Sequence, residues 1–576
     1  MKKIINKSFY IFLKYKNIFI STFLFILVFA LLGLPYTNWW LGGCDDAAGI
    51  FIGYKTKNWK DLFYFFYDGN TNPVPLASNY PIPTKGSFFS TYYRPLHCIY
   101  LTFQYWLFET NVYYYLLTNV FFHAINTILF FNIFLFFTST FPAFLFSMFF
   151  AFHPQIAYRF GAIVNLHYYI NIMLVLLTLL FFKKYLDSKK YLFYGLSILC
   201  FILSLFTRES TVVLPAIIFL GTYLYKNINY SIKDFFKKFI LILQQTSIFF
   251  IISIGFLSLR AYLYPIVFNN NLNKTFSITS ILKAKLAGLQ VAIYDFLGFS
   301  WLPWGQKLYR GIIVVSILSF LFWLFIKNTK KIHILYFIFS AGLILWPGFI
   351  GNNYCPRYYY EAAPFAIASL VVLFTYSKIN ETLKKIIYFI FTIFIIFLSY
   401  FAIECFQLRE NKMQIMHNAF TKLIKKPEVQ KRDLCFLDCP AEGFGGVIPM
   451  FWIHFNNPEH KIYHDPITSI TQADSHIMIP TKWKNKISNY FDQNYVQVAR
   501  IDNSFKFTSL NHKKVVFYID PKESSIGKIK INKTIKTKNG EAVTDFTLSI
   551  DEKYTKNNPL FINWDYTRQC FKIVEF

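Results

Sequence analysis

Apolar runs of roughly 15–25 residues, each closed by a short polar patch, recur from Ile18 to about residue 404, and that length matches the hydrocarbon thickness of a bilayer. Polar residues do not alternate through these runs at a strand or surface-helix period. Inside lipid only helices and closed barrels satisfy their own backbone, so runs of this length predict membrane helices. The candidate spans are 18–36, 113–137, 140–152, 165–182, 191–206, 212–225, 239–262, 311–326, 332–350, 362–377 and 386–404, about eleven in all. One stretch within 263–310, "ILKAKLAGLQVAIYDFLGFSWLPWG", reads either as an amphipathic helix on the outer interface or as a re-entrant piece.

The polar patches sort by charge. The start "MKKIINKSFYIFLKYKN" and the connections "KKYLDSKK", "KNINYSIKDFFKK", "KNTKK" and "SKINETLKK" are Lys-rich, whereas those around 153–164, 207–211 and 351–361 carry an occasional Arg. Positive charge marks the cytoplasmic side. The chain is thus expected to be a multi-pass protein of the cell membrane with its N-terminus in the cytoplasm. An odd number of spans leaves the tail outside. An additional span within 263–310 would invert every later segment, but the Lys-rich loops after residue 326 argue against it. The competing reading of the first run is a cleaved signal peptide. No small-x-small site precedes "TNWWLGGCDD", and the apolar run is long for that role.

From about residue 405 the apolar runs shorten, and strand-like stretches appear: "KVVFYID", "GKIKINKT", "DFTLSID" and "QCFKIVEF". The expected organisation is a helical membrane domain at 1–404, with a first outer loop at 36–112, followed by a β-rich or α+β extracytoplasmic domain at 405–576. About 170 residues suffice for one core.

Composition agrees with the pattern. The 576 residues are 55% hydrophobic, with 71 Phe and 41 Tyr, and the mean hydropathy is +0.37. Soluble domains sit nearer 45–50% apolar. The formal charge of +28 does not predict a nucleic-acid partner, because the basic residues cluster in the short loops that set topology. Eight cysteines are too few for a disulfide scaffold. Cys435 and Cys439 in "CFLDC" can pair with each other, or with Cys405 or Cys570, in an oxidising compartment. His454, His460 and His464 have no compact metal-ligand spacing.

With sides assigned, the notable polar residues fall together. Asp45 and Asp46 follow the first span in "GGCDD", and Arg94 stands in "YYRPLH". His153 and Arg159 come from "FHPQIAYR", Asn165 and His167 from "NLHYY", Arg208 and Glu209 from "TRES", and Arg357 and Glu361 from "PRYYYE". All lie at outer connections. Ionisable groups at membrane depth are costly and point to function. An outer pocket of carboxylates with Arg and His suits a lipid-linked phosphate and activation of a hydroxyl. Plainer readings exist for each motif: a solvated turn or helix cap for the Asp pair, helix stops for "HP" and "RPL", a cap with an internal ion pair for "TRES", and headgroup snorkelling for Arg357.

The order of these motifs over residues 18–400 resembles the GT-C superfamily of integral-membrane glycosyltransferases, in particular enzymes of the protein O-mannosyltransferase and aminoarabinose-transferase kind. Two positions depart from those families: Arg208-Glu209 stands where Lys-Glu is frequent, and "QIAYR" follows His-Pro where an acid is common. The resemblance implies a GT-C-like fold. It also implies transfer of a sugar from a polyprenyl phosphate to a hydroxyl of protein, glycan or lipid outside the membrane, with inversion. Asp45 is then the expected general base, with Asp46 orienting it or the acceptor. Arg94, Arg357, Arg208 and His153 are the expected partners of the donor phosphate. Glu209, Asn165, His167 and Arg159 are expected to serve the acceptor or the scaffold. A monophosphate carrier can be neutralised by arginine alone, so no obligatory metal or cofactor is expected. The rival readings are an O-antigen polymerase or ligase, whose large functional loop comes late in the chain, and a lipid-linked glycan flippase, which would carry mid-span charges and related halves.

Overall fold

A computed structural model describes residues 2–33, 50, 52–53, 56–67, 93–153, 163–225, 232–263, 307–350 and 359–431, together with the strands that lie beyond residue 433. The described part up to residue 431 is almost wholly helical. In chain order the helices are α1 (Lys2–Leu32), α2 (Asp61–Tyr67), α3 (Pro95–Phe108), α4 (Val112–Phe134), α5 (Thr140–Phe152), α6 (Leu166–Ser188), α7 (Tyr191–Thr207), α8 (Leu214–Tyr225), α9 (Ile232–Leu263), α10 (Lys307–Ile326), α11 (Lys331–Ile350), α12 (Tyr359–Tyr376), α13 (Glu381–Ile424) and α14 (Pro427–Lys431).

Among the described residues four segments are long and apolar enough to cross a membrane: Val112–Phe134, Leu166–Ser188, Phe239–Leu263 and Glu381–Tyr400. Seven shorter apolar helices accompany them among the described residues. Large apolar side chains such as Ile251, Ile254, Phe389, Ile396 and Tyr400 are exposed on α9 and α13. Water would penalise such faces and hydrocarbon does not, so this is an integral membrane protein.

The interior is aromatic. Phe130 and Phe150 stack at 4.3 Å and 4°, and Phe130, Phe146, Phe150 and Tyr169 are fully buried. α1 and α4 run side by side: Asn132 approaches Ser21 at one end, and Gly33 faces Leu117 and Val120 at the other. A Cβ on Gly33 would lie 3.0 Å from the Leu117 side chain, so the glycine permits the close approach. α6 and α7 pair in the same manner, with Ser197 Oγ donating to the Thr178 carbonyl at 2.8 Å.

Two features of the sequence reading change. The stretch 36–112 contains two helices, α2 and α3, among its described residues. The last helix does not stop where its apolar run ends near 404 but continues through Cys405 to Ile424, 44 residues in all. The segment after 404 is rich in Glu, Gln, Lys, Met and Leu, which favour helix, and contains neither Gly nor Pro before Pro427. Hydropathy marks the end of the lipid and not the end of the helix.

The described strands all lie beyond residue 433. β1 (Leu434–Phe436) lies parallel to both β2 (Ile462–His464) and β9 (Leu560–Asp565), and β10 (Cys570–Val574) runs antiparallel to β9. In the other sheet β3 (Ile470–Gln472), β6 (Val515–Phe517), β8 (Gly540–Ile550), β5 (Ser504–Ser509) and β4 (Val496–Ile501) lie side by side in that order, and β7 (Gly527–Thr537) pairs with β8. The four strand-like runs of the sequence coincide with β6, β7, β8 and β10.

Candidate functional site

Helix ends meet on one side of the bundle. Arg94 caps the start of α3, His153 ends α5, Asn165 and His167 open α6, Arg208 ends α7, and Tyr360 and Glu361 open α12. A single 3-10 turn, Glu209–Val213, links α7 to α8.

Arg208 is the pivot. Its backbone is extended, φ −161° and ψ 133°, and successive side chains along extended backbone point to opposite sides. Arg208 and Glu209 therefore find different partners. The Arg208 Nε lies 2.7 Å from Glu361 Oε1, and the two side chains are only 3% and 2% exposed. Glu209 Oε2 lies 2.8 Å from Arg94 Nε, with exposures of 15% and 12% for Arg94 and Glu209, and Glu209 Oε1 accepts from the Tyr93 backbone N–H at 3.1 Å. The "TRES" motif thus contains no ion pair of its own and instead joins α3 to α12 through two.

Glu361 is saturated with donors. Asn171 Nδ2 donates to Oε1 and Ser210 Oγ to Oε2, each at 2.9 Å, and Thr211 Oγ1 donates to Asn171 Oδ1 at 3.0 Å. On its other flank the Arg208 guanidinium lies 3.9 Å above the centre of the Tyr168 ring, a favourable place for a desolvated cation. Arg208 Nη1 is 3.0 Å from His167 Nε2. A guanidinium only donates, so Nε2 accepts and the neutral ring of His167 carries its proton on Nδ1. The His97 ring centre stands 4.4 Å from that of His167, and His97 Nδ1 is buried with no hydrogen-bond partner among the described residues.

A second buried network fixes the start of α12. His123 Nε2 lies 3.1 Å from the Ala151 carbonyl, which can only accept. His123 therefore donates through Nε2 and accepts through Nδ1 from the Tyr360 hydroxyl at 3.0 Å. Asn126 Nδ2 donates to the same hydroxyl at 3.0 Å and to the Tyr169 carbonyl at 2.9 Å. Tyr360 immediately precedes Glu361, so this clasp sets the position of the carboxylate.

Of the residues singled out by sequence, Arg94, His167, Arg208, Glu209 and Glu361 come together in this cluster. His153 is buried with its ring edge-on to Phe149 at 5.2 Å, and Asn165 is buried before α6. Asp45, Asp46, Arg159 and Arg357 lie outside the described residues, as does most of 263–310. So do the side chains of Cys405, Cys435, Cys439, Cys570, His454, His460 and His464. His97, His123, Asn126, Asn171, Ser210 and Tyr360 were missed. The available signal was neutral polar residues inside otherwise apolar runs, as in "FFHAIN" and "YYINI". Among the described residues no group of three or more His, Cys, Asp or Glu is arranged to hold a metal ion.

No family model matches the sequence, and no curated protein matches it. The solved structures similar to it include the archaeal oligosaccharyltransferase AglB from Archaeoglobus fulgidus in complex with an inhibitory peptide and a dolichol-phosphate. The identity there is 10%, with 76% of this chain and 64% of that one covered and a TM-score of 0.43. The oligosaccharyltransferase of the same organism in its apo form gives 12% identity, coverages of 78% and 64%, and a TM-score of 0.39. The form tethered to an acceptor peptide containing the NVT sequon gives 11% identity, the same coverages and a TM-score of 0.38. This chain spans 64% of the length of each, and likeness at these scores assigns no roles to residues.

Proposed function

We propose that this protein is a glycosyltransferase that takes a sugar from a polyprenyl-phosphate donor and passes it, with inversion, to a hydroxyl acceptor at the outer face of the cell membrane. In this reading about eleven spans leave the N-terminus in the cytoplasm and the residues after α13 outside. The observation that carries it is the buried charged cluster at one end of the bundle, assembled from Arg94, His167, Arg208–Glu209 and Glu361. Burying two charged side chains fully and two more partly at the ends of membrane helices costs stability that a purely structural bundle avoids by using apolar residues.

The pairing refines the roles. Arg208, almost without solvent exposure and held by Glu361, His167 and the Tyr168 ring, acts as a strut that positions the cluster. Arg94, in the more exposed pair, stands nearer the substrate side. Each of these two guanidinium groups is opposed by one carboxylate, and Arg260 adds a further positive charge acting on Glu209. The positive charge that favours an arriving phosphate is assigned to Arg357, three residues before Tyr360 in the sequence, together with Arg94 and His153. As the glycosyl–phosphate bond breaks, negative charge grows on the phosphate, and cations already fixed in place lower that barrier without reorganising. Asp45 takes the proton of the attacking hydroxyl, and Asp46 holds the acceptor.

The test is mass spectrometry of envelope glycans and lipids from cells carrying the gene, lacking it, or carrying Asp45→Asn. A modification present with the wild-type gene and missing in the other two supports the reading. Full modification by Asp45→Asn overturns the assigned base, and identical envelopes with and without the gene overturn the activity.

A further inference from the structure

A concavity separate from the ion-pair cluster lies beside the far end of α3. It has a volume of about 390 Å³ and is lined by Lys57, Trp59, Tyr105, Trp106 and Glu109, within the size range of small-ligand sites. α3 has 14 residues, so at 1.5 Å per residue this cleft sits about 21 Å from the Arg94 end.

Its walls are rigid. Trp59 meets Trp106 at 5.1 Å and Phe103 at 5.5 Å, and Phe103 meets Trp106 at 5.5 Å, all edge to face. Trp106 is fixed by its Nε1, which donates to the Thr56 carbonyl at 2.9 Å, while Thr56 Oγ1 donates to the Ile52 carbonyl. The segment lies directly on α3, since a Cβ on Gly53 would stand 2.1 Å from Tyr105 Cβ. Despite this support, Trp59 remains 66% exposed. An indole held in place yet left open offers its ring to something else.

Glu109 carries a second sign of use. Its φ of 49° and ψ of −115° belong to the first central position of a type II′ turn, where glycine is usual. Asn111 N–H closes the turn onto the Phe108 carbonyl at 2.9 Å, and Tyr115 Oη donates to the Glu109 carbonyl at 2.6 Å. A non-glycine residue there is strained, and such strain is retained at ligand clamps. Lys57 and Glu109 bring opposite charges to the same cleft. The carboxylate disfavours an anion and the ammonium disfavours a cation, whereas a neutral polyol donates to one and accepts from the other. The C–H face of a pyranose ring, with its slightly positive hydrogens, complements the negative face of an indole.

We propose that this cleft is a carbohydrate subsite in which a neutral sugar ring lies on the exposed face of Trp59, which Trp106 supports, while its hydroxyls bond Lys57 and Glu109. Resting on the glycosyltransferase reading, it seats the non-reacting part of an acceptor glycan whose reactive hydroxyl lies several sugar units away, at the cluster.

Calorimetric titration of the full-length protein in nanodiscs tests the cleft without any turnover. The probes are mannotriose, galactotriose, maltotriose and chitotriose, with phosphocholine and inorganic phosphate in parallel. At least one trisaccharide is expected to bind, with affinity reduced tenfold or more by Trp59→Ala and by Glu109→Gly. Glycine relaxes the turn, so the second variant should melt no lower than wild type, which separates a lost contact from a damaged fold. Absence of binding by every trisaccharide overturns the subsite, and so does binding that Trp59→Ala leaves unchanged. Saturable phosphocholine binding that Trp59→Ala abolishes overturns it in favour of a lipid headgroup. Trisaccharide binding in a protein that leaves the envelope unmodified supports the subsite while the transferase reading fails. Envelope modification that proceeds without any trisaccharide binding has the reverse meaning.

Discussion

Replacing Glu361 by Gln keeps the volume of the side chain and removes its charge. In the wild type the carboxylate takes Arg208 Nε at 2.7 Å, Asn171 Nδ2 at 2.9 Å and Ser210 Oγ at 2.9 Å. Gln can still accept from one of the neutral donors, but it leaves the guanidinium buried without a counter-charge. At an effective dielectric near 20 and a charge separation near 4 Å, the lost attraction is about 4 kcal/mol. Breaking buried pairs elsewhere costs about 3–5 kcal/mol, so a loss of about 3 kcal/mol, roughly a hundredfold in the folding equilibrium, is expected. Arg208→Met strips the carboxylate of its cation but leaves it two donors, and should cost somewhat less. The double variant should be more stable than the sum of the single losses by about 2 kcal/mol, because neither charge is then stranded. Reversible unfolding in mixed detergent micelles at rising SDS fraction measures all four proteins. Additivity to within about 0.5 kcal/mol would show that the two side chains do not interact and would remove Arg208 as the strut of the cluster.

The same geometry sets further outcomes. Glu209→Gln, whose partner Arg94 is partly exposed, should destabilise less than Glu361→Gln in the same unfolding assay, by about 1–2 kcal/mol. Tyr360→Phe leaves His123 Nδ1 and Asn126 Nδ2 without their shared hydroxyl and should cost about 1–3 kcal/mol; a melting temperature equal to wild type contradicts the clasp. Gly53→Ala drives a Cβ into Tyr105 and should lower stability by about 1–3 kcal/mol or more, visible as reduced yield and a lower melting temperature. Cysteines placed at the exposed positions Asn58 and Ser188 should differ in labelling: an impermeant maleimide should reach the first in intact cells and the second only after permeabilisation. The opposite pattern inverts the topology.

The helical, membrane-embedded character was legible because one physical quantity, the length of an apolar run, reports the thickness of the solvent it must match. The end of α13 was not, because helix propensity continues through "ECFQLRENKMQIMHNAFTKLI" after hydropathy has fallen. α3 escaped notice for a related reason. At 14 residues it is short for a span, and it lies among polar stretches that read as loop. Arg94 and Glu209 announced themselves as costly charges, yet their pairing joins positions 115 residues apart, and no local period encodes such a contact. The neighbouring charges of "TRES" even suggested the wrong pairing, since the extended backbone of Arg208 that sends the two side chains apart is a consequence of tertiary packing.

Two consecutive residues bound to opposite partners give the cluster a mechanical property. Arg208 is tied through Glu361 to the start of α12, and Glu209 through Arg94 to the start of α3. The single 3-10 turn between α7 and α8 therefore acts as a crossbar whose length fixes the separation of two helix ends that carry no sequence proximity. Lengthening it by one glycine inserted between Arg208 and Glu209 should impair the proposed transfer, read from the envelope glycans, more than Glu209→Gln does, because the insertion changes the spacing and the substitution only a bond.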